Sequence, residues 1–342
     1  MPDLTLEDVA KQAGVSRSTV SRVLNDRPNV RKDVRERVQN VIESTGFRPH
    51  AAARALASQH SWTIGLLLPL SVSFFFTDPY YSHLTKGIAQ ACNQYNYTLA
   101  LFLVGAKEDE EKIFPRVSRK GLLDGVIVQA GHHGEQQIIG HLINAKMPLV
   151  VIGRPFRSDN VSYIDIDNVN AAFNAVTHLI REGYKRIGTI TGPQHSTVGL
   201  DRKAGYIKAL NERGFNIDES LIVEGDFTES GSYYAMKKLL SAKPDAVFAA
   251  SDVMAMGAMR AARESGLRIP EDIALVGFDD LPIATLSDVQ LTTIRQPVAQ
   301  FGANAVEILI DVIENGIDPP RHIIMETELV IRESCGASLG RK

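Results

Sequence analysis

"VSRSTVSRVLN", residues 15–25, is the stretch on which the reading of this chain turns. Val20, Val23 and Leu24 recur at helical spacing and give it an apolar side. At about 3.6 residues per turn, Arg17, Ser18, Ser21, Arg22 and Asn25 share the opposite face. All five donate hydrogen bonds and two are cationic. Upstream, Thr5 caps a short helix, with Asp8 three residues on and Val9, Ala10 and Ala13 as its inner stripe. "AGVS" turns through Gly14, and Ser16 caps the second helix. Downstream, "DRPNV" leads into a third helix carrying Val34, Val38, Val41 and Ile42 on one side. Helix, short glycine turn, helix is the helix-turn-helix layout. The leading end of its second helix suits a DNA major groove, where Arg17 can grip guanine O6 and N7 with Ser18 beside it. Ser16, Thr19, Ser21 and the first backbone N–H groups can hold phosphates. A polar face that meets only water is the alternative. The turn spacing and the local charge favour DNA.

That charge is unevenly placed. Across 342 residues the net charge is −3, yet residues 1–60 hold ten Lys/Arg against seven Asp/Glu. The asymmetry points to nucleic acid at the N-terminal end alone. The 44% hydrophobic and 23% charged content is that of an ordinary globular chain with a real core. Cys92 and Cys335 lie far apart and match no metal or redox spacing, so Cys92 reads as a buried free thiol in a reducing compartment. The opening "MPDLTLEDVAKQAG" places acids where a secretory signal needs basic and then apolar residues, which points to a cytoplasmic protein. "WTIGLLLPLSVSFFF", residues 62–76, is too short to span a membrane and is broken by Pro69. It reads as a buried strand running into an apolar loop.

Residues 46–61 form a junction. Gly46 ends the third helix and Pro49 restarts the chain. "HAAARALAS" has high helix propensity but little to bury, so a helix there needs a partner. From Trp62 on, apolar runs alternate with helical segments. The runs are "TIGLLL", "LALFLV", "GVIVQA", "LVVIG", "RIGTIT", "AVFAAS" and "IALVGF". The helical segments begin at Tyr80, Asn168, Leu200 and Asp252. Such alternation indicates parallel sheets covered on both faces, and the length calls for two α/β subdomains.

The stretch from "TLEDVAKQAG" through "HAAARALAS" resembles the headpiece of the LacI/GalR family of bacterial transcription regulators from Leu4 to Ser58, and similarity continues to about Glu333. The resemblance implies an α-helical helix-turn-helix headpiece over 1–48, a hinge helix and linker over 49–61, and an effector-binding and dimerisation domain over 62–342. That domain would be α/β and periplasmic-binding-protein-like, with two Rossmann-like subdomains crossed by three strands. The N-subdomain is expected at about 62–162 and 293–323, the C-subdomain at about 163–292 and 324–342. In the family the hinge helices pair in the minor groove, a role that falls by position on Leu56 as wedge, with Ala53 and Ala57 small enough for close approach. The alternative is a helical spacer with Leu56 docked on the body. Arg17 and Ser18 depart from the tyrosine–glutamine and paired-threonine versions of the reading positions, so base preference is not carried over.

Open α/β sheets bind ligands outside the carboxyl ends of their strands. Tyr80, Tyr81, Gln129, Arg154, Arg202, Phe227, Ser251, Asp252, Asp279 and Gln296 fall at or beyond such ends. By resemblance, Arg202 and Asp279 match the family's pair of effector-gripping charges and Phe227 its aromatic platform. Guanidinium and carboxylate bridge neighbouring hydroxyls, and a ring covers the apolar side of a sugar. Bland alternatives stand beside these. Asp279 can cap a following short helix, Arg202 can pair with a nearby acid, Asp252 can cap helix 253–265, and the two tyrosines can pack rather than line.

The resemblance therefore implies an effector-controlled regulator that binds palindromic double-stranded operator DNA as a homodimer, cytoplasmic and nucleoid-associated when bound. The expected action is repression of sugar-utilisation genes, released by a sugar or sugar phosphate; a purine-like corepressor is the alternative. A transport solute-binding protein predicts a signal peptide and no headpiece. An α/β enzyme needs a phosphate-cradling glycine loop or a nucleophile elbow, and neither motif occurs. No cofactor is expected. Adjacent His132 and His133 point to opposite faces of an extended segment and make a poor metal site. No leucine heptads follow the last expected strand, so a dimer rather than a tetramer is expected.

Overall fold

A computed structural model describes residues 4–24, 28–47, 60–105, 107–119, 121–131, 135–157, 160–316 and 319–337. The chain divides into two units, Met1–Ser61 and Trp62–Lys342.

In the first unit, α1 (Leu6–Ala13) starts with a full capping box: the Thr5 hydroxyl accepts from Asp8 N, and the Asp8 carboxylate accepts from Thr5 N. Gly14 closes it in the left-handed conformation at φ 64°, which a side chain adopts only at a cost. Ser16 Oγ then accepts from Thr19 N and starts α2 (Arg17–Leu24). α3 (Lys32–Thr45) ends at left-handed Gly46. Val9, Ala10, Ala13, Val20, Val23 and Val38 form one buried cluster, with Val41 and Ile42 packed against it.

The second unit holds two six-stranded sheets. It opens with β1 (Thr63–Leu68), α4 (Val72–Thr77), α5 (Pro79–Gln94), β2 (Thr98–Leu103), α6 (Lys107–Val117), β3 (Gly125–Gln129), α7 (Glu135–Asn144), β4 (Leu149–Ile152) and β5 (Ser162–Ile166). The chain then crosses through α8 (Asn168–Arg181) into β6 (Ile187–Thr191), α9 (Thr197–Glu212), β7 (Ile222–Glu224), α10 (Glu229–Leu239), β8 (Ala246–Ala249), α11 (Asp252–Glu264), β9 (Ala274–Asp279) and β10 (Thr292–Arg295). It returns through α12 (Val298–Asn315) to β11 (His322–Met325) and ends in β12 (Glu328–Val330). The strand orders are β11-β5-β4-β3-β1-β2 and β12-β10-β9-β8-β6-β7. Pairing is parallel except between β10 and β12.

Both faces of each sheet are covered, as the uninterrupted apolar runs require. In the first sheet Leu66, Ile127 and Val150 face a cluster containing Leu84 and Ile88 of α5 and Leu309 of α12. Their neighbours Leu67, Val126, Val128 and Val151 face Ile138 and Leu142 of α7. In the second sheet Val247 and Leu275 face Met236 of α10 and Met254 of α11, while Phe248 and Val276 face Val176 of α8 and Tyr206 of α9.

Two expectations change. The residues after β1 form α4 rather than a loop, because Ser71 Oγ caps it by accepting from Phe74 N at 3.2 Å. The crossings lie a few residues later than expected: β5 stays in the first sheet to Ile166, and β10 pairs with β9 in the second. Cys92 and Cys335 are buried free thiols, and burial pushes the Cys92 thiol up to about 11. Among the described residues, no helix is long and apolar enough to cross a membrane.

Candidate functional site

The polar face of α2 is open. Arg17, Ser18 and Arg22 are exposed along with Ser16 and Thr5, while Thr19 and Ser21 are half-buried. Ser16 Oγ lies 2.8 Å from the Ser18 hydroxyl and 2.9 Å from that of Thr19, so the helix start presents a small hydroxyl cluster. Arg17 reaches Glu7 of α1 at 3.1 Å. Both side chains are well exposed, so the pair is worth little and does not tie the guanidinium down. Asn25, Ala53 and Leu56 lie outside the described residues.

In the second unit a chamber of about 80 Å³ sits between the two sheets at their strand ends. Gln129 closes β3 and Asp279 closes β9, while Phe227, Ser251 and Gln296 follow β7, β8 and β10; all five line it, as do Tyr80, Tyr81 and Arg202. The strand-end rule thus places most of the expected set together. The chamber is polar at its centre. Arg202, only 5% exposed, donates through Nε to Asn168 Oδ1 at 2.9 Å and through Nη1 to the Ala250 carbonyl at 2.6 Å. Nη1 lies 3.6 Å from Asp279 Oδ1, and the guanidinium stacks 3.5 Å above the Phe278 ring. Gln296 Nε2 donates to Asp279 Oδ1 at 2.5 Å.

Asp279 does not cap the short turn after it, Pro282–Thr285, which has no side-chain cap; its carboxylate instead accepts from the backbone N–H of Asp252, the first residue of α11. The Asp279 backbone sits at φ 122°, a conformation that a side chain adopts under strain of about 1–3 kcal/mol and that clusters at ligand sites. Phe227 is likewise left-handed, at φ 61°, and its ring lies on Gly192. A Cβ at residue 192 would meet the ring at 2.4 Å, so glycine there makes room for the platform. Tyr80 packs edge-on against Tyr81, which in turn meets Phe74 at 5.8 Å, so both tyrosines line and pack.

Two expected residues lie elsewhere. Arg154 is outside the lining; its Nη2 donates to both oxygens of Asp201 on α9 at 2.6–2.7 Å. Its carbonyl accepts from Thr197 Oγ1 at 2.6 Å. Asp252 also lies behind the lining, fully buried, accepting from Leu281 N at 2.8 Å and the Thr293 hydroxyl at 2.6 Å. Ser251, one residue earlier, is the helix cap, its Oγ accepting from Met254 N.

Asp78, Asp165 and Asn168 complete the chamber and were not anticipated. Asp165 accepts from Arg154 N, Ile166 N and Asn168 Nδ2 at 2.8–3.1 Å, and Asp78 caps α5 through Tyr80 N. The signal for Asp165 was available: it is the acid of "SYIDI", a strand buried at every position, and buried acids are rarely idle. Burial pushes the Asp78 and Asp165 carboxyls up to about 6. It carries Asp279 to about 7, with Arg202 pulling the other way. Gln129 Oε1 is buried with no hydrogen-bond partner among the described residues, while its Nε2 donates to the Ala130 carbonyl. An orphan acceptor beside three carboxyls makes the chamber a receiver of hydrogen bonds.

A family model for bacterial regulatory proteins of the lacI family matches residues 5–50, and one for a periplasmic binding protein-like domain matches residues 176–335. The transcriptional regulator CelR of Thermobifida fusca is 36% identical over 334 residues, spanning 96% of this chain and 98% of that one. The chain belongs to the lacI family of bacterial regulatory proteins. It is a helix-turn-helix transcription regulator with a periplasmic-binding-protein-like body. Among solved structures, that of a CelR–cellobiose complex superimposes with a TM-score of 0.76 at 34% identity, covering 97% of this chain and 99% of that one. A lac repressor dimer bound to operator and the anti-inducer ONPF gives 0.85 at 26% identity, again covering 97% and 99%.

Proposed function

We propose that this lacI-family regulator represses transcription as a homodimer on a two-fold operator and is released when a sugar occupies the chamber. The observation that carries the reading is the buried set of Arg202, Asp279, Gln296 and Gln129, whose Oε1 has no partner among the described residues, in a chamber that the Phe227 ring also lines. Fixed donors and acceptors beside an aromatic ring suit vicinal hydroxyls on a ring with an apolar side. Tyr80 and Ser251 add further hydroxyls. The cellobiose named in the CelR complex supports a sugar over a purine. The site is assigned binding and release, not turnover.

On the DNA side, Arg17, Ser18 and Arg22 read bases, with Asn25 beyond them, while Thr5, Ser16, Thr19 and Ser21 hold phosphates. By family position, Ala53 and Leu56 of the 49–61 hinge pair with their symmetry mates in the minor groove. A sugar favours one closure of the two subdomains, and this sets whether the hinges can pair. Fluorescence anisotropy with palindromic duplexes tests the scheme. Binding should be sequence-specific, fall steeply with salt and be reversed by a sugar but not by adenine or hypoxanthine. Salt-insensitive or sequence-blind binding, or release by purines alone, would overturn it.

A further inference from the structure

We propose that the chamber opens into a second, outer subsite and that the effector is an unphosphorylated sugar of at least two rings. The inference rests on the sugar reading above and deepens it. Beside the chamber of about 80 Å³ lies a wider recess of about 610 Å³, and Asp78 and Phe227 line both. The two spaces therefore share a wall, made by these two side chains. Phe74 and Thr77 of α4 form one side of the recess, and Thr228, Glu229, Ser230 and Arg260 the other. The first side belongs to the N-terminal subdomain and the second to the C-terminal one, so an occupant touches both halves.

The chemistry of each space argues for an uncharged ligand. Among the described residues lining the chamber, Asp78, Asp165 and Asp279 outnumber the one guanidinium, whose Nε and Nη1 already serve Asn168 and Ala250. Gln129 Oε1 awaits a donor. A phosphate brings only acceptors and negative charge, so it would face carboxylates without enough donors to hold it. A ring of hydroxyls brings the donors. In the recess, the charge of Arg260 is met by Glu229, whose Oε1 lies 2.8 Å from its Nη1, and its guanidinium lies 4.7 Å over the Tyr233 ring, so the recess carries no net positive charge from this pair. The rest of the lining is the Phe74 ring, Val253 and small hydroxyls, a mixture that suits the two faces of a second pyranose. One ring in the chamber leaves its neighbour, through the glycosidic bond, beside Phe227 and Asp78.

Calorimetric titration of the full-length protein with glucose, galactose, glucose 6-phosphate, cellobiose, maltose, lactose and trehalose tests this. At least one disaccharide should bind ten-fold or more tightly than either component monosaccharide, and glucose 6-phosphate more weakly than glucose. Filling the recess from opposite sides with Ser73→Trp or Ser230→Trp should collapse the disaccharide-to-monosaccharide ratio to about one. Monosaccharides binding as tightly as every disaccharide would overturn the outer subsite and leave the sugar reading standing. So would a ratio untouched by both tryptophans. Preference for glucose 6-phosphate would overturn the charge argument, and no response to any sugar would overturn both readings.

Discussion

Gly192→Ala isolates the aromatic platform from the charged groups that share its chamber. The added methyl would lie 2.4 Å from Cζ and 2.9 Å from Cε1 of Phe227, and 3.1 Å from the Gly199 Cα. Carbon atoms rest at about 3.5–4.0 Å, so the ring must withdraw by roughly an ångström or more. It cannot slide freely, because its backbone is held left-handed at φ 61°. Overpacking of this kind costs about 1–3 kcal/mol, which for a domain of this size lowers the melting temperature by roughly 2–10 °C. A displaced ring no longer covers the sugar face, and a loss of about 1.4 kcal/mol is ten-fold in affinity. Thermal melts and calorimetry with the tightest sugar of the panel above read both effects. Phe227→Leu removes the ring and with it the clash, so the two substitutions combined should cost less than the sum of their separate losses. Parental affinity in Gly192→Ala, or losses that simply add in the double variant, would refute the reasoning.

Asp279→Asn removes a charge-assisted hydrogen bond worth about 1.5–3 kcal/mol. Sugar affinity should fall by roughly 10- to 150-fold, with operator affinity in the absence of sugar within two-fold of parental; normal release by sugar would remove Asp279 from the site. The raised carboxyls also predict a pH dependence. Because Asp78, Asp165 and Asp279 bind protons more tightly in the folded state than unfolded, their stabilisation is present at low pH and fades as pH rises through about 6–7. For Asp165, a rise from the ordinary 3.8 to about 6 corresponds to ~3 kcal/mol. Melts of the sugar-free protein should therefore drop between pH 5.5 and pH 8, less so in Asp279→Asn; a flat or rising profile contradicts this. Leu56→Ala should weaken operator binding ten-fold or more and leave calorimetric sugar affinity unchanged, and equal losses in both would reject the hinge assignment.

The parts of the fold that were legible are those where a strand is buried on both faces. "TIGLLL", "GVIVQ" and "LVVI" became β1, β3 and β4 because nothing but apolar side chains fits between two helical layers. β5 was missed for the opposite reason: "SYIDI" carries Asp165 into the chamber, and that functional acid breaks the run that would have announced it. β7 and β12, three residues each at sheet edges, leave too short a pattern to see. In the site, Gln129, Ser251, Gln296, Arg202, Asp279 and Phe227 all followed from strand ends, and the family resemblance added only the roles given to the last three. Arg154 satisfied the strand-end rule and still lies outside the chamber, because Asp201 on α9 draws its guanidinium away. Position along a strand fixes where a long side chain starts. It does not fix where the charge ends up.

That same arginine acts as a bolt between the halves of the regulator's body. Its guanidinium grips Asp201 while its carbonyl receives Thr197, and the short contacts involved, 2.6–2.7 Å, weaken steeply once the halves part or twist. If the fastening makes or breaks as a unit, the halves have two positions and no stable midpoint. On the proposed function, rising sugar concentration should then change how many molecules are in each position, not the angle that any one of them adopts. Single-molecule distances across the cleft should fall into two fixed peaks whose areas trade places, and a single peak that drifts would show a dial where this geometry makes a switch.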